Sequence, residues 1–212
     1  MDLLVTAGPT REHLDEVRFL SNLSSGRMGY AVARAGAAAG HRVTLVSGPT
    51  ALEAPDGVRR LEVESAAEMH REVRKAWPSC RALVMAAAVA DWRPALRQPG
   101  KMKKDGLRTA TLELVRTPDI LAELGPEKAG RIVVGFALET EGLLAEAARK
   151  LAAKNLDAIV ANSLENLGGD SASATLIEAS GAGETWTGLP KDEIGRRLVA
   201  LVERLAAAKA AS

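Results

Sequence analysis

Four short stretches of this 212-residue chain hold the residues best suited to chemistry. The first runs from Gly8-Pro9-Thr10-Arg11-Glu12 to Ser21-Asn22-Leu23-Ser24-Ser25-Gly26-Arg27-Met28-Gly29. Glycines at 26 and 29 would let a phosphate approach the backbone, and the helix expected to start there offers unpaired N–H groups and the positive end of its dipole. Ser24 and Ser25 add hydroxyl donors; the plain alternative is that Ser25-Gly26 is only a helix entry. The second stretch, Ala86-Ala87-Ala88-Val89-Ala90-Asp91-Trp92, closes an apolar strand with small residues, which leave open space and exposed backbone amides. Asp91 at its edge is placed to hold Mg²⁺ or a ligand hydroxyl, or is simply a turn residue. The third, Lys101-Met102-Lys103-Lys104, gathers three of the nine lysines into four positions, against nineteen arginines in the whole chain. Such a run is either a solvated surface or the cationic part of a lid that neutralises charge on a transferring nucleotide. The fourth combines Gly135-Phe136-Ala137 with Lys150 and Lys154, one helical turn apart on one face. Phe136 either lines a base pocket or closes the core.

The spacing of these glycines is not G-x-G-x-x-G, and Val46-Ser47-Gly48-Pro49 lacks the acid that would hold a ribose hydroxyl. The only tyrosine, Tyr30, is followed four positions on by Arg34, so there is no Tyr-x-x-x-Lys pair. A phosphate-rich ligand is favoured over a nicotinamide dinucleotide.

The elements that must position these residues alternate. Leu3–Thr6 reads as a strand, Met28–Ala39 as a small-residue helix with Gly40 at its C-terminal end, and Val43–Val46 as a second strand. A helix over Ala66–Ala76 and a strand over Ala82–Ala88, apolar on both faces, follow. Residues 91–108 carry no periodicity and are expected to form a mobile loop. The alternation resumes with a strand at Leu112–Val115, a short helix from Pro118-Asp119, a strand at Ile132–Phe136, a helix over Gly142–Ala153 and a strand at Ala158–Ala161. A hairpin of Ala174–Glu178 with Glu184–Thr187 and a closing amphipathic helix over Ile194–Ala208 end the chain, with residues 206–212 expected to fray. The fold class is therefore α/β: one Rossmann-like three-layer domain over residues 1–212, with a mostly parallel sheet and a flexible lysine-bearing lid loop. Ligands of such sheets bind outside the carboxyl ends of the strands.

Composition excludes several other classes. Hydrophobic residues at 47% and a formal charge of +1 argue against a disordered chain and against a surface that coats nucleic acid. The longest apolar run, Ala82–Ala90, falls short of the roughly 20 residues of a membrane span, so the chain reads as soluble and cytoplasmic. A lone Cys80 and three scattered histidines (His13, His41, His70) rule out an internal disulfide and a cysteine-based zinc cage. Asn and Gln are scarce, either from heat adaptation or from codon usage, which draws notice to Asn22 among the few that remain.

Taken together, Ala7–Glu12, Asp15-x-Val17-Arg18, Ser21-Asn22-x-Ser24-Ser25-Gly26-x-Met28-Gly29, Ala86–Asp91, Lys101-x-Lys103-Lys104, Pro118–Leu121, Gly135–Ala137 and Lys154–Asp157 resemble phosphopantothenoylcysteine synthetase of coenzyme A biosynthesis, in its bacterial CTP-using form. The resemblance spans nearly the whole chain. It implies that the carboxylate of 4′-phosphopantothenate attacks the α-phosphate of CTP, releasing pyrophosphate and forming an acyl-cytidylate, and that the amine of cysteine then expels CMP. It implies Lys101 as the catalytic lysine and Asn22 as the residue that supports conversion of the acyl-cytidylate. Gly8, Ser24, Gly26, Gly29, Met85, Ala86, Ala87, Asp91, Pro118, Asp119, Ile120, Leu121, Phe136, Lys150, Lys154 and Asn162 fall at nucleotide-binding positions, and Asn22, Ala87, Ala88 and Asp91 at substrate-binding ones, with Asp91 towards Mg²⁺. Arg18 matches an arginine that reaches the neighbouring subunit's site, implying a homodimer. Leu23, Arg27 and Trp92 fall where the family varies. The family's synthetase is often fused behind a flavin-dependent decarboxylase, whose residues and flavin have no counterpart here, so a free-standing synthetase or one domain of a longer product is implied. An ATP-using ligase and a non-catalytic nucleotide-binding subunit stay open.

Overall fold

The structure is a computed structural model that describes residues 1–103, 106, 108–138, 142–163 and 168–211; Lys104 of the lysine-rich segment lies outside them. Strands with apolar residues on both faces set the architecture. In β1 (Asp2–Ala7), Leu3, Val5 and Ala7 enter one cluster of buried side chains and Leu4 the opposite one, as period-2 alternation requires. β4 (Arg42–Ser47), β6 (Ala82–Met85), β9 (Ile132–Leu138) and β10 (Ala158–Asn162) behave alike, so helices must cover both faces. α1 (Arg27–Ala38) and α5 (Lys191–Ala210) cover the first face, through Tyr30, Val32, Ile194 and Leu198. α2 (Ala66–Ala76), α3 (Ile120–Leu124) and α4 (Leu143–Ala153) cover the second, through Met69, Val73, Leu124 and Leu151. Burial of each such Val, Leu or Ile contributes roughly 1.5–3 kcal/mol, so an aliphatic core suffices despite an aromatic content of 3%.

With β5 (Val58–Glu62), β11 (Ser171–Glu178) and β12 (Gly183–Pro190), the eight-stranded sheet has the order β12-β11-β10-β9-β6-β1-β4-β5. Every neighbouring pair is parallel except the two made by β11. From β1 the chain winds first outward to β4 and β5, then back past β1 to β6. That reversal opens a crevice at the carboxyl ends of β1 and β6, where doubly wound sheets bind ligands.

The expected helices and sheet strands are present, with bounds shifted by a few residues. The strand expected at Leu112–Val115 lies at β8 (Leu114–Arg116) and pairs not with the sheet but with β7 (Trp92–Pro94), inside the supposedly structureless segment. A second arm pairs β2 (Arg11–His13) with β3 (Phe19–Ser21). Three-residue strands are too short to leave a periodic signal. The expected fraying from Ala206 is also corrected: α5 continues to Ala210, because Leu205 and Ala206 pack on the core and the Lys209 ammonium bonds Asp157 Oδ1 at 2.6 Å and the Arg131 carbonyl at 3.1 Å.

Candidate active site at the carboxyl edge of the sheet

The loops after β1 and β6 are sewn together by buried threonines. Thr6 Oγ1 accepts the Ala87 N–H at 3.1 Å and Thr10 Oγ1 accepts the Ala90 N–H at 2.9 Å. The Ala88 N–H donates to the Gly8 carbonyl at 2.9 Å. The amides of Ala87, Ala88 and Ala90, expected to be exposed for a ligand, are thus already committed inside the protein. What faces outward is the small side-chain surface. Asn22 closes the seam: its Nδ2 donates at 3.1 Å to the carbonyls of both Ala88 and Val89. With both amide hydrogens used, Asn22 Oδ1 is the group turned away from the loop.

Glycines fix the entry to α1, for reasons partly different from those expected. Gly26 adopts φ 78° at the N-cap, and a Cβ on Gly29 would stand 2.5 Å from Ala7 Cβ and 2.6 Å from the Thr6 carbonyl. Gly29 therefore serves close packing of α1 on β1, the role of the third glycine in dinucleotide-binding turns. Ser24 Oγ accepts the Gly26 N–H at 3.3 Å. Glu12 is structural too: its buried carboxylate accepts the Ala66 N–H at 2.7 Å at the start of α2.

Between these loops and the ends of β9, β10 and β11 lies a cavity of about 620 Å³. It gathers Asn22, Ser24, Gly26, Ala86, Ala87, Ala88, Asp91, Phe136 and Asn162 of the expected site. Asn162 Oδ1 is buried there without a hydrogen-bond partner among the described residues. Gly8, Gly29 and Met85 lie beneath it; Met85 is buried, and its sulfur accepts from Thr6 Oγ1 at 3.3 Å.

Lys101 is exposed and does not line the cavity, but its segment is anchored to the β1 loop. Buried Asp15 accepts the Met102 N–H at 3.1 Å on Oδ2 and the Val17 and Arg18 N–H groups on Oδ1. Arg18 clamps Oδ2 through Nε at 2.9 Å and Nη2 at 2.5 Å, and Nη2 also donates to the Met102 carbonyl at 2.8 Å. Burial alone would raise the Asp15 pKa; these donors outweigh it and hold the carboxyl well below the ordinary value of 3.8. Within this chain Arg18 thus organises the lysine segment.

The remaining expected residues form a separate group on the α3–α4 side. Asp119 caps α3 by accepting the Ala122 N–H at 3.0 Å and pairs with the Lys154 ammonium at 2.8 Å. Burial would raise its carboxyl, but Lys154 first and Ala122 second hold it below the usual range. Pro118 precedes that cap, while Ile120 and Leu121 are buried in the second core cluster. Lys150 sits in the last turn of α4, one turn before Lys154 at its C-cap. None of these lines the cavity.

Leu138, Gly168, Ala172 and Lys191 on the wall were missed by sequence reasoning, and Lys191 is the charged one among them. Lys191, the first residue of α5, is 8% exposed and faces the cavity beside Ala172 and Asn162. Its only sequence signal is a lysine directly after a proline at a helix start, which is too common to single out.

The strand order, the glycine-bound helix entry and the carboxyl-edge cavity together define a Rossmann-type α/β domain with its site at the switch point. Residues 1–205 match the family described as DNA/pantothenate metabolism flavoprotein C-terminal domain, and the chain belongs to that family. It is 49% identical over 165 residues to the coenzyme A biosynthesis bifunctional protein CoaBC of Bacillus subtilis (strain 168), covering 77% of this chain and 40% of that protein. With the CoaBC of Vibrio cholerae serotype O1 the identity is 47% over 168 residues, covering 78% and 42%. The chain thus spans about two fifths of the length of these curated relatives. A crystal structure of the C-terminal domain of CoaBC superposes with a TM-score of 0.83 at 38% identity, covering 96% of this chain and 94% of that one.

Proposed function

We propose that this chain is a phosphopantothenate–cysteine ligase of coenzyme A biosynthesis that activates the 4′-phosphopantothenate carboxylate with CTP and then couples cysteine. The observation that carries this reading is the seam itself. Asn22, Ala87, Ala88 and Asp91 meet on one cavity wall, and the lysine segment is tethered to the same loop through Asp15 and Arg18. A carboxylate attacking a phosphate of a polyanion needs neither a protein nucleophile nor a protein base. It needs its approach fixed and the charge of the pentavalent transition state met by cations and donors. Lys101 is the cation that the tethered segment can bring over the opening. Asn22 Oδ1 is a fixed acceptor suited to orient the ammonium or amine of cysteine in the second step. Phe136 and Asn162 offer a ring face and an unsatisfied carbonyl to the nucleotide, and Asp119 with Lys150 and Lys154 would recognise its base end.

Asp91 is a single exposed carboxylate at the rim, and no group of three or more His, Cys, Asp or Glu gathers anywhere among the described residues. Such a wall suits Mg²⁺ carried on the nucleotide phosphates, with Asp91 as its protein ligand, better than a metal caged by protein. Bound there, Mg²⁺ would offset phosphate charge.

We further infer a homodimer in the cytoplasm. Val17, Phe19 and Leu23 on and beside the first arm, and Trp92, Leu96, Leu112 and Leu114 on and beside the second, are large apolar residues left exposed, which marks these arms as an association surface. The CoaBC relatives are named bifunctional, and a decarboxylase partner, fused or separate, belongs to the same reading.

A nucleotide screen with phosphopantothenate and cysteine, following pyrophosphate, tests the proposal. CTP-dependent release that requires phosphopantothenate supports it. Equal or better use of ATP would assign the ATP-dependent ligase instead, and nucleotide binding without any release would leave a non-catalytic subunit.

A further inference from the structure

The cavity wall that carries Asp91 and the group that carries Asp119 and Lys154 stand apart in the fold, and one side chain lies between them. Ala90 is held from two directions: its N–H donates to Thr10 Oγ1 in the β1 loop at 2.9 Å, and its carbonyl accepts the Thr117 hydroxyl at 2.5 Å. The next residue is held by the same threonine, because the Thr117 N–H donates to the Asp91 carbonyl at 3.0 Å. Two residues further on, Asp119 caps α3 and meets the Lys154 ammonium. Thr117 also closes the base of the β7–β8 arm. The chain leaves the cavity rim after Asp91 and returns to it at Thr117. Between them β7 and β8 pair from Trp92 with Arg116 to Pro94 with Leu114, and the Ala95 N–H meets the Glu113 carbonyl at 2.9 Å beyond. Lys101 belongs to this excursion, whose outer part is pinned separately: the Gln98 N–H donates to the Leu14 carbonyl at 2.8 Å and the Met102 N–H to Asp15. The local sequence suits a latch. A residue before proline is confined to extended backbone, and a β-branched side chain has few rotamers to lose, so the Thr117 hydroxyl is aimed in advance.

We propose that Thr117 is a positioning residue for nucleotide activation, one that holds the Asp91 rim, the base of the Lys101 arm and the Asp119–Lys154 group in fixed register. This rests on the ligase reading above and adds a residue to it. Under that reading the carboxylate oxygen bonds to the α-phosphorus while the bond from that phosphorus to the bridging oxygen breaks, and its electron pair leaves with pyrophosphate. Asp91 and Lys101 serve the phosphates and Asp119 with Lys154 the base, so the reacting phosphorus lies between two sets of groups. A shift of one set against the other leaves every contact available but turns the phosphorus off the line of attack. Misplacement by about 1 Å costs on the order of 100-fold in rate. Thr117 does not line the cavity and acts only through the carbonyls of Ala90 and Asp91. Thr117→Val keeps the shape and removes the donor, leaving the Ala90 carbonyl without it. The bonds that Thr6, Thr10 and Asn22 make to the same loop stay in place.

The test compares Thr117→Val and Thr117→Ser with the wild-type full chain, by single-turnover pyrophosphate release at saturating CTP and phosphopantothenate and by calorimetric titration with CTP. Thr117→Val is expected to slow release about tenfold or more while CTP affinity changes by less than about threefold. Thr117→Ser, which keeps the hydroxyl, is expected to restore the rate to within about threefold of wild type. A residue of purely structural value would lower thermal stability and leave the rate per folded site alone, so an unchanged rate in folded Thr117→Val overturns the proposal. CTP affinity that falls in step with the rate, or Thr117→Ser as slow as Thr117→Val, overturns it as well. If Thr117→Val does not fold, Thr117→Cys, a weak donor of similar size, takes its place under the same criteria. A wild-type chain that releases no pyrophosphate with any nucleotide refutes the ligase reading, whereas release that is equally fast in the variant refutes this assignment alone.

Discussion

Asn22 donates both amide hydrogens to the Ala88 and Val89 carbonyls, so exchanging its oxygen and nitrogen roles is costly in a specific way. Asn22→Asp would set a carboxylate against two carbonyl oxygens and should loosen the seam that the proposed ligase function assigns to the second substrate. The expected outcome is pyrophosphate release that persists while the acyl-nucleotide accumulates, read by quenched-flow chromatography; loss of the first step would instead assign Asn22 to activation. Lys101→Gln should abolish pyrophosphate release with the fold intact, and full activity would remove the lysine segment from the mechanism. Gly29→Ala tests a different matter. Its Cβ would meet backbone and Ala7 at contacts no real Cβ makes, so a loss of about 1–3 kcal/mol in denaturant unfolding is expected, against near-neutrality if the glycine served only a ligand. At this scale the sequence told which residues matter better than why. Gly29 and Glu12 were noticed as parts of an active-site motif, yet Gly29 packs α1 on β1 and Glu12 anchors α2. Lys191 was invisible because a lysine after a proline at a helix start is common, and only the folded β11–β12 hairpin brings it to the cavity wall.

The β1 loop and the lysine segment act together through one carboxylate. Because the Asp15 carboxyl sits below its ordinary value of 3.8 in the folded protein, its contribution is fully present above that pH and is lost as pH falls through and below it. Hydrogen exchange at the Met102 amide should therefore be slow near neutrality and speed up only in strong acid. Asp15→Asn should speed it at every pH and lower kcat/KM through the lost tether; unchanged exchange would show that Met102 is held by other contacts. Long elements were legible: α2 spans Ala66–Ala76 as expected, and both-face apolar strands announced a covered parallel sheet. β2, β3, β5 and β7 were not, and β8 was expected as a strand but not as the partner of β7. Three-residue strands and an edge strand reading Val-Arg-Arg-Leu-Glu leave little periodic signal, because little of them is buried.

At the level of the whole molecule, the two arms and the residues beside them carry seven of the exposed large apolar residues, Leu138 of β9 and Leu144 of α4 being the others among the described residues. Sedimentation is expected to show a dimer, and Val17→Glu with Leu114→Glu to yield monomers of reduced activity; a fully active wild-type monomer would refute a shared site. The long helix α5 adds something a list of site residues does not convey. Its 20 residues span about 30 Å, from Lys191 at the cavity to Lys209, which together with Lys128 grips Asp157 at the start of β10. About one turn in from Lys191, Gly195 sits so close to α1 that a Cβ would stand 2.7 Å from the Ala31 carbonyl. The helix is therefore a strut held near both of its ends, which resists sliding along its axis. The wall it presents is thus ordered by folding itself, which makes that end of the cavity the rigid one, while the segment tethered through Asp15 on the other side is held by fewer bonds.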